Sequence, residues 1–390
     1  MSVIKFPSRK LNKKKMIIFI SICSVALILL IGSIIYAFSS SFRAFIDIYI
    51  FRKGIKSDNL PSIEISSDED QYFYAYDKYI SILNKNVLYT YNHSGEKIAT
   101  NDINITSPIF ASKNKFLVIA ENNGNNIYLL SGTNVLWQNT LDGNISKISV
   151  NKNGYVSVIL SGTSYKSIVI SFNAKGKELF KTYLSSNLAL ATDISNDNKY
   201  LSIAEIDYSG SIIKSVIKNI SIEKAKTDPT NSVIYTYNIN DGELVTNIKY
   251  QDKNNLVCLT TNNIYLLNVA DSVDTHIIAV DSNYEFIDVN LKNHLLYTSN
   301  NYYNFTNISY INILNPQNNS LNTYEFKGTV KEVYINEEKI AINTGSEVHF
   351  VGLNGWLIKK YDSYNEVHNV ILGDSIAGII YKDKIKVLEI

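Results

Sequence analysis

From about Ser62 to Ile390 the chain repeats one pattern, a polar turn of Asn, Asp, Gly, Lys or Ser followed by an apolar run of strand length. Ser112-Lys113-Asn114-Lys115 leads into Phe116-Leu117-Val118-Ile119, and Asn151-Lys152-Asn153-Gly154 into Tyr155-Val156-Ser157-Val158. Ser195-Asn196-Asp197-Asn198-Lys199 leads into Tyr200-Leu201-Ser202-Ile203, and Gln251-Asp252-Lys253-Asn254-Asn255 into Leu256-Val257-Cys258-Leu259. Each reads as a hairpin turn entering a strand. A second turn type recurs farther along each unit, as Asn92 to Lys97, Asn173 to Glu178, Asn240 to Glu243 and Leu353 to Trp356. Its Gly or Asn supplies the positive φ that such a turn requires. A strand on either side of both turns makes a unit of four strands, A to D.

The A strands are predicted near Tyr72, Pro108, Ile145, Leu190, Thr246, Phe286, Lys331 and Val367. Their mean spacing of about 42 residues is the length of a four-stranded propeller blade. The expected fold is therefore all-β, a β-propeller of eight four-stranded blades, with seven as the alternative. The last unit has strands at Ser375–Tyr381 and Lys384–Ile390 but no outer strand. Pro61–Ser66 alternates correctly to supply it and would close the ring, leaving no free edge. The 28 Tyr and only five Pro suit many short strands joined by tight turns.

The N-terminus is built differently. Met16 to Phe38 is 23 residues without a charge, about 34 Å as a helix and enough to cross a hydrocarbon core of about 30 Å. Ser21, Ser24 and Ser33 can bond back to helix carbonyls. A cleaved signal peptide is the alternative, with a marginal site at Ala37 and Ser39, but its apolar region is usually only about 7 to 15 residues. Lys5, Arg9, Lys10, Lys13, Lys14 and Lys15 precede the run, whereas Arg43, Arg52 and Lys53 follow it more sparsely. That bias places the N-terminus in the cytoplasm and the large domain outside. The basic head can also touch anionic lipid. Phe42, Phe45, Ile46, Tyr49 and Ile50 fall on one helical face, at the interface or against the domain. The expected organisation is a basic segment at 1–15, a transmembrane helix at 16–38, a juxtamembrane segment and linker at 39–60, and the extracytoplasmic propeller at 61–390.

The blade-like hairpins Asn126 to Gly132 with Val135 to Trp137, and Ser167 to Ile170 with Leu179-Phe180, resemble those of quinoprotein-like and WD-type propellers. The whole layout resembles an uncharacterised membrane-anchored propeller family of low-GC bacteria. The resemblance implies architecture and little about function. The chain has two Trp, Trp137 and Trp356, so there is no regular Trp docking repeat, and it has no GH…WD signature. Both departures count against a quinone enzyme or a strict WD protein.

Chemistry is sparse. Cys23 lies in the apolar run and Cys258 in a strand, so the two cannot pair, and Ile22 before Cys23 argues against lipoprotein processing. His93, His276, His294, His349 and His368 show no metal-ligand spacing and read as turn or surface residues. Ser67-Asp68-Glu69-Asp70 reads as a solvated acidic turn, with a calcium site as the alternative. No nucleotide loop, nucleophile elbow or zinc-protease motif occurs. The sequence thus names no catalytic residue, no cofactor and no metal ligand. A net charge of +1 gives no electrostatic case for nucleic acid.

Two excursions stand out. The fourth unit carries Ile206–Ser211 and Glu223–Ser232, expected on opposite rims. The sixth carries Tyr302 and Tyr303 in its B–C loop, candidate contacts for a protein partner, with packing between blades as the alternative. The expected function is a non-catalytic binding or scaffolding module in the cell envelope, its partners the membrane and a protein. The alternative is an anchored hydrolase or quinoprotein-like oxidoreductase with a site in the channel. Converging Asp, Glu, His or Arg at one channel mouth would favour that alternative.

Overall fold

A computed structural model describes residues 13–39, 42, 46, 50–51, 54–56, 60–66, 70–162, 164–269, 275–280, 284–303 and 306–390. The chain divides into two compact units, residues 1–54 and 55–390.

In the first unit a helix spans Lys13–Phe38. Its Ile, Leu and Phe side chains stand exposed, as expected of a helix that is apolar all round. Met16–Phe38 is long and apolar enough to cross a membrane. Ser24 Oγ donates to the Ser21 carbonyl at 2.8 Å and Ser33 Oγ to the Leu29 carbonyl at 2.8 Å, so both hydroxyls are satisfied within the helix. Lys5, Arg9 and Lys10, Phe45 and Tyr49 of the face from Phe42 to Ile50, and Ser67 to Glu69 lie outside the described residues.

The second unit is an eight-bladed propeller of four-stranded antiparallel sheets. The inner A strands, in blade order, are Gln71–Tyr76, Pro108–Lys113, Asn144–Val150, Leu188–Ile194, Val245–Tyr250, Ile287–Asp288, Glu332–Asn336 and Asn369–Leu372. All eight fall at or beside the positions anticipated from the turn spacing. The middle strands are continuous apolar runs because neighbouring blades cover both of their faces. Strand C of blade 3, Ser167–Phe172, is buried at every residue. Outer strands alternate instead, as in Asn134–Thr140 of blade 2. The core is a ring of inter-blade layers. Phe116, Val118 and Leu129 of blade 2 pack with Val156, Val158 and Phe172 of blade 3, and Phe350 and Tyr361 of blade 7 with Val370 and Ile379 of blade 8.

The ring closes as anticipated. Ser62–Glu64 is the outer strand of blade 8, antiparallel to Lys384–Glu389, with Ser62 opposite Lys386, Ile63 opposite Ile385 and Glu64 opposite Lys384. Val387 N–H donates to the Pro61 carbonyl at 2.9 Å and Ile65 N–H to the Asp383 carbonyl at 3.0 Å. Ile63 is 3% exposed among Ile80, Ile371, Ile376 and Ile385, so the clasp also seals the seam between blades 8 and 1. Two residues inside the segment expected to be a linker, Ile55 and Lys56, instead pair in parallel with Tyr361 and Asp362 and give blade 7 a fifth strand. Parallel pairing lets a passing chain join an outer edge without a turn.

Three local readings change. Glu223–Ser232 is not simply a loop, because Ile222–Thr227 forms a helical turn in the C–D connection of blade 4. The Ser221 side chain caps it by accepting from Lys224 N–H, and Ile222 and Ala225 are buried beneath it. Tyr302 and Tyr303 continue strand B of blade 6, opposite Asn307 and Thr306.

His349 is the third. It is buried at 3% exposure on strand C of blade 7, whose middle residues are buried on both faces. Its Nε2 lies 2.9 Å from Glu347 Oε2 and its Nδ1 3.1 Å from the Tyr324 hydroxyl of blade 6. Burial pulls the imidazole below its ordinary pKa, opposed by the Glu347 carboxylate. The unfolded chain therefore takes up this proton at a higher pH than the folded chain does. The contribution is complete above about pH 6.5 and is lost as pH falls through the folded value, with a slope of at most about 1.4 kcal/mol per pH unit. Melts of the parent and His349→Gln proteins between pH 7.5 and 5 should show a steeper fall in the parent. Parallel curves would remove His349 from the pH response.

Candidate functional site

Eight inner strands around one axis leave a channel, and their register decides what faces it. Strands A of blades 3, 4 and 5 each carry a β-bulge at the same place, between Ile145 and Lys147, Ala189 and Ala191, and Val245 and Asn247. A bulge shifts the alternation by one residue and re-aims the side chains that follow. Lys147, Ala191 and Asn247, each just past its bulge, accordingly line a channel cavity of about 340 Å³. Two residues farther on come Ser149, Asp193 and Lys249, one from each blade. Ser149 Oγ donates to Asp193 Oδ1 at 2.5 Å, and Lys249 Nζ lies 3.6 Å from the same oxygen. Tyr250 N–H donates to the other oxygen at 2.8 Å. The buried Asp193 carboxylate is thus satisfied around the ring.

The cavity opens toward the face that carries the A–B turns. A second cavity of about 560 Å³ at that mouth shares Lys113 and Glu337 with the first. Lys113 of blade 2 and Glu337 of blade 7 form an ion pair at 2.6 Å, both mostly buried, across the boundary between the two cavities. Burial depresses the Lys113 pKa and nearby Lys249 pushes it the same way, while Glu337 opposes both. Asp288, on strand A of blade 6, is raised by burial although the Asn290 N–H donates to it at 2.5 Å.

The mouth adds Lys152, Lys253 and Lys292. Its acids are occupied locally. Asp252 accepts from the backbone of Asn254 and Asn255 at 2.7 and 2.8 Å, and Asp197 pairs with Lys199 at 3.4 Å. Lys292 is held by Glu338 at 2.5 Å. Among the described residues Lys147, Lys152 and Lys253 make no ion pair, and no group of three or more His, Cys, Asp or Glu is placed to hold a metal.

The opposite face, with the B–C and D–A connections, is apolar in patches. On blades 3 and 4, Tyr165, Tyr183, Tyr208, Ile212 and Ile213 are exposed. The Tyr165 and Tyr183 rings lie 4.8 Å apart, and Lys166 Nζ sits 4.8 Å above the Tyr208 ring. Tyr302 of blade 6 belongs to this face at 71% exposure and is not packed between blades. The side chain of Tyr303 lies outside the described residues.

The channel receives Lys113, Lys147, Lys249 and Glu337, three of them at or beside A–B turns, where Lys and Glu read as solvated turn residues. Aligning the units on those turns would have exposed the pattern. Ser149, Asp193 and Lys249 each stand two residues before the turns that begin at Asn151, Ser195 and Gln251.

A family model described as "Family of unknown function (DUF5711)" matches residues 55–390. No curated protein is matched by the sequence. Among solved structures, BamB from Moraxella catarrhalis is similar at 11% identity and a TM-score of 0.52, over 85% of this chain and 99% of that one. Sqt1 from Chaetomium thermophilum, bound to the N-terminus of the ribosomal protein L10, is similar at 11% identity and a TM-score of 0.53, over 86% of this chain and 100% of that one. At such identities the likeness is one of fold.

Proposed function

The chain belongs to the DUF5711 family of unknown function, and we propose that its propeller is a non-catalytic binding or scaffolding module, tethered outside the cytoplasm by the N-terminal helix. The uncharged run Met16–Phe38 and the basic residues before it support the tether and its direction. The exposed cluster on the B–C face, Tyr165, Tyr183, Tyr208, Ile212 and Ile213, is the observation that carries the binding reading. Exposed Tyr contributes large contact area at low entropic cost, and on a closed ring it is already positioned. Tyr302 extends this surface to blade 6. Sqt1 offers a precedent for a ring of this architecture holding a protein segment.

A photo-crosslinking residue placed at Tyr208 or Tyr302 in intact cells should capture the same discrete protein. One placed at Leu136, exposed on the outer strand of blade 2, should not. Identical capture from all three positions, or none from the tyrosines while the chain is folded and abundant, would refute the assignment of that face.

The tether has its own test. The protein should stay with membranes through a carbonate wash, and protease added to wall-less cells should digest the propeller. Release into the wash, or protection until the cells are lysed, would overturn anchor or orientation respectively.

A further inference from the structure

We propose that the channel is a binding site for a small multivalent oxyanion, reached through the mouth on the A–B face. Lys113, Lys147 and Lys249 come from blades 2, 3 and 5 and converge on one cavity of about 340 Å³. That volume accommodates a compact anion with several charged oxygens. The neutral groups around it include donors suited to oxygen ligands, with the Ser112 hydroxyl and the Asn247, Asn290 and Asn336 amides on its wall.

The charges do not cancel. Asp193 is hydrogen-bonded by Ser149 and Tyr250 and paired with Lys249, and Asp288 accepts from the Asn290 N–H at 2.5 Å and from its side-chain amide at 3.2 Å. Among the described residues Glu337 is the one carboxylate in the cavity wall and pairs with Lys113, and the Asp193 carboxylate is the counter-charge of Lys249, so Lys147 is the cation left over. Lys147 makes no ion pair among the described residues, and Lys113 is disfavoured as a cation by its burial and by Lys249. A multivalent anion would meet all three lysines at once and take Lys113 from Glu337. Lys152 and Lys253 at the mouth, which also make no ion pair among the described residues, would raise the local anion concentration along the entry route.

This site is on the face opposite the exposed tyrosines, so either reading can fail alone. The test uses the full chain in detergent, with pyrophosphate and citrate as probes and sodium chloride matched for ionic strength. Calorimetry should detect saturable binding of at least one probe. Lys147→Met should weaken it about tenfold, the loss of one charge-assisted contact, and Lys147→Met with Lys249→Met further still. Glu337→Gln should tighten it, because the internal competitor is gone, and this gain would not follow from a folding defect. Binding of both probes would fix the class as multivalent oxyanions in general, and binding of one would narrow it to phosphate or carboxylate. No saturable binding of either, or binding unchanged by all three variants, would overturn the proposal.

Discussion

Deleting residues 61–66 from the full chain should remove most or all of the propeller's cooperative melting transition. The segment carries the outer strand of blade 8, and without it Lys384–Glu389 becomes an open edge. The loss includes the backbone bonds at Pro61 and Ile65 and the intervening ladder, at about 1 kcal/mol each. It also includes the burial of Ile63, about 1.5 to 3 kcal/mol, and part of that of Ile65. Together these are on the order of 5 kcal/mol or more, comparable to the whole net stability of many domains. The exposed edge should add aggregation to the lost stability. Among the described residues, deleting 54–59 removes the two-residue pairing on blade 7 and should cost about 1 to 2 kcal/mol. Thermal melts of the two deletions decide the matter. Equal effects would mean that the ring does not depend on this clasp.

Gly176→Ala should be the most damaging single-methyl change in the ring. Gly176 has φ +76° in the C–D turn of blade 3, a conformation that strains any L side chain. A Cβ there would also stand 2.6 Å from Cγ of Trp137, a buried side chain tilted against Phe172 with ring centroids 5.7 Å apart. Backbone strain of about 1 to 2 kcal/mol and overpacking of about 1 to 3 kcal/mol act together. Gly132→Ala is the control, since Gly132 has φ +57° but nothing within 4 Å of its Cβ position. It should lose only the strain. Denaturant melts should separate the two by about 1 to 3 kcal/mol, and equal losses would show that Trp137 moves aside freely.

The ring was legible because its signals are local and repeated. A polar hairpin turn and an apolar strand need no knowledge of distant residues, and eight copies correct one another's ambiguities. Closure was legible for a related reason, since the eighth unit lacked one strand and Ser62–Glu64 had no other partner nearby in the chain. The fifth strand of blade 7 was not, because two residues among polar neighbours carry no periodicity. The helical turn at Ile222–Thr227 was hidden by its length, and its stability comes from burying Ile222 and Ala225 against the blade. His349 was misplaced because a lone His does not reveal that both faces of its strand are covered by neighbouring blades. The channel lysines were hardest to see. Lys113 and Glu337 are 224 positions apart, and only the curvature of the ring brings a turn of blade 2 against a turn of blade 7.

The clasp also determines how the domain answers to force. A pull on the segment before Ile55 does not reach the blades evenly. It first strips Ile55 and Lys56 from the edge of blade 7, a short pairing that can yield while the ring stays whole. Only then does tension arrive at Ser62–Glu64, the strand that holds the first and last blades together. The chain entering the ring is therefore fastened to the seam, with a weaker pairing ahead of it, and mechanical rupture should begin at the junction of blades 8 and 1.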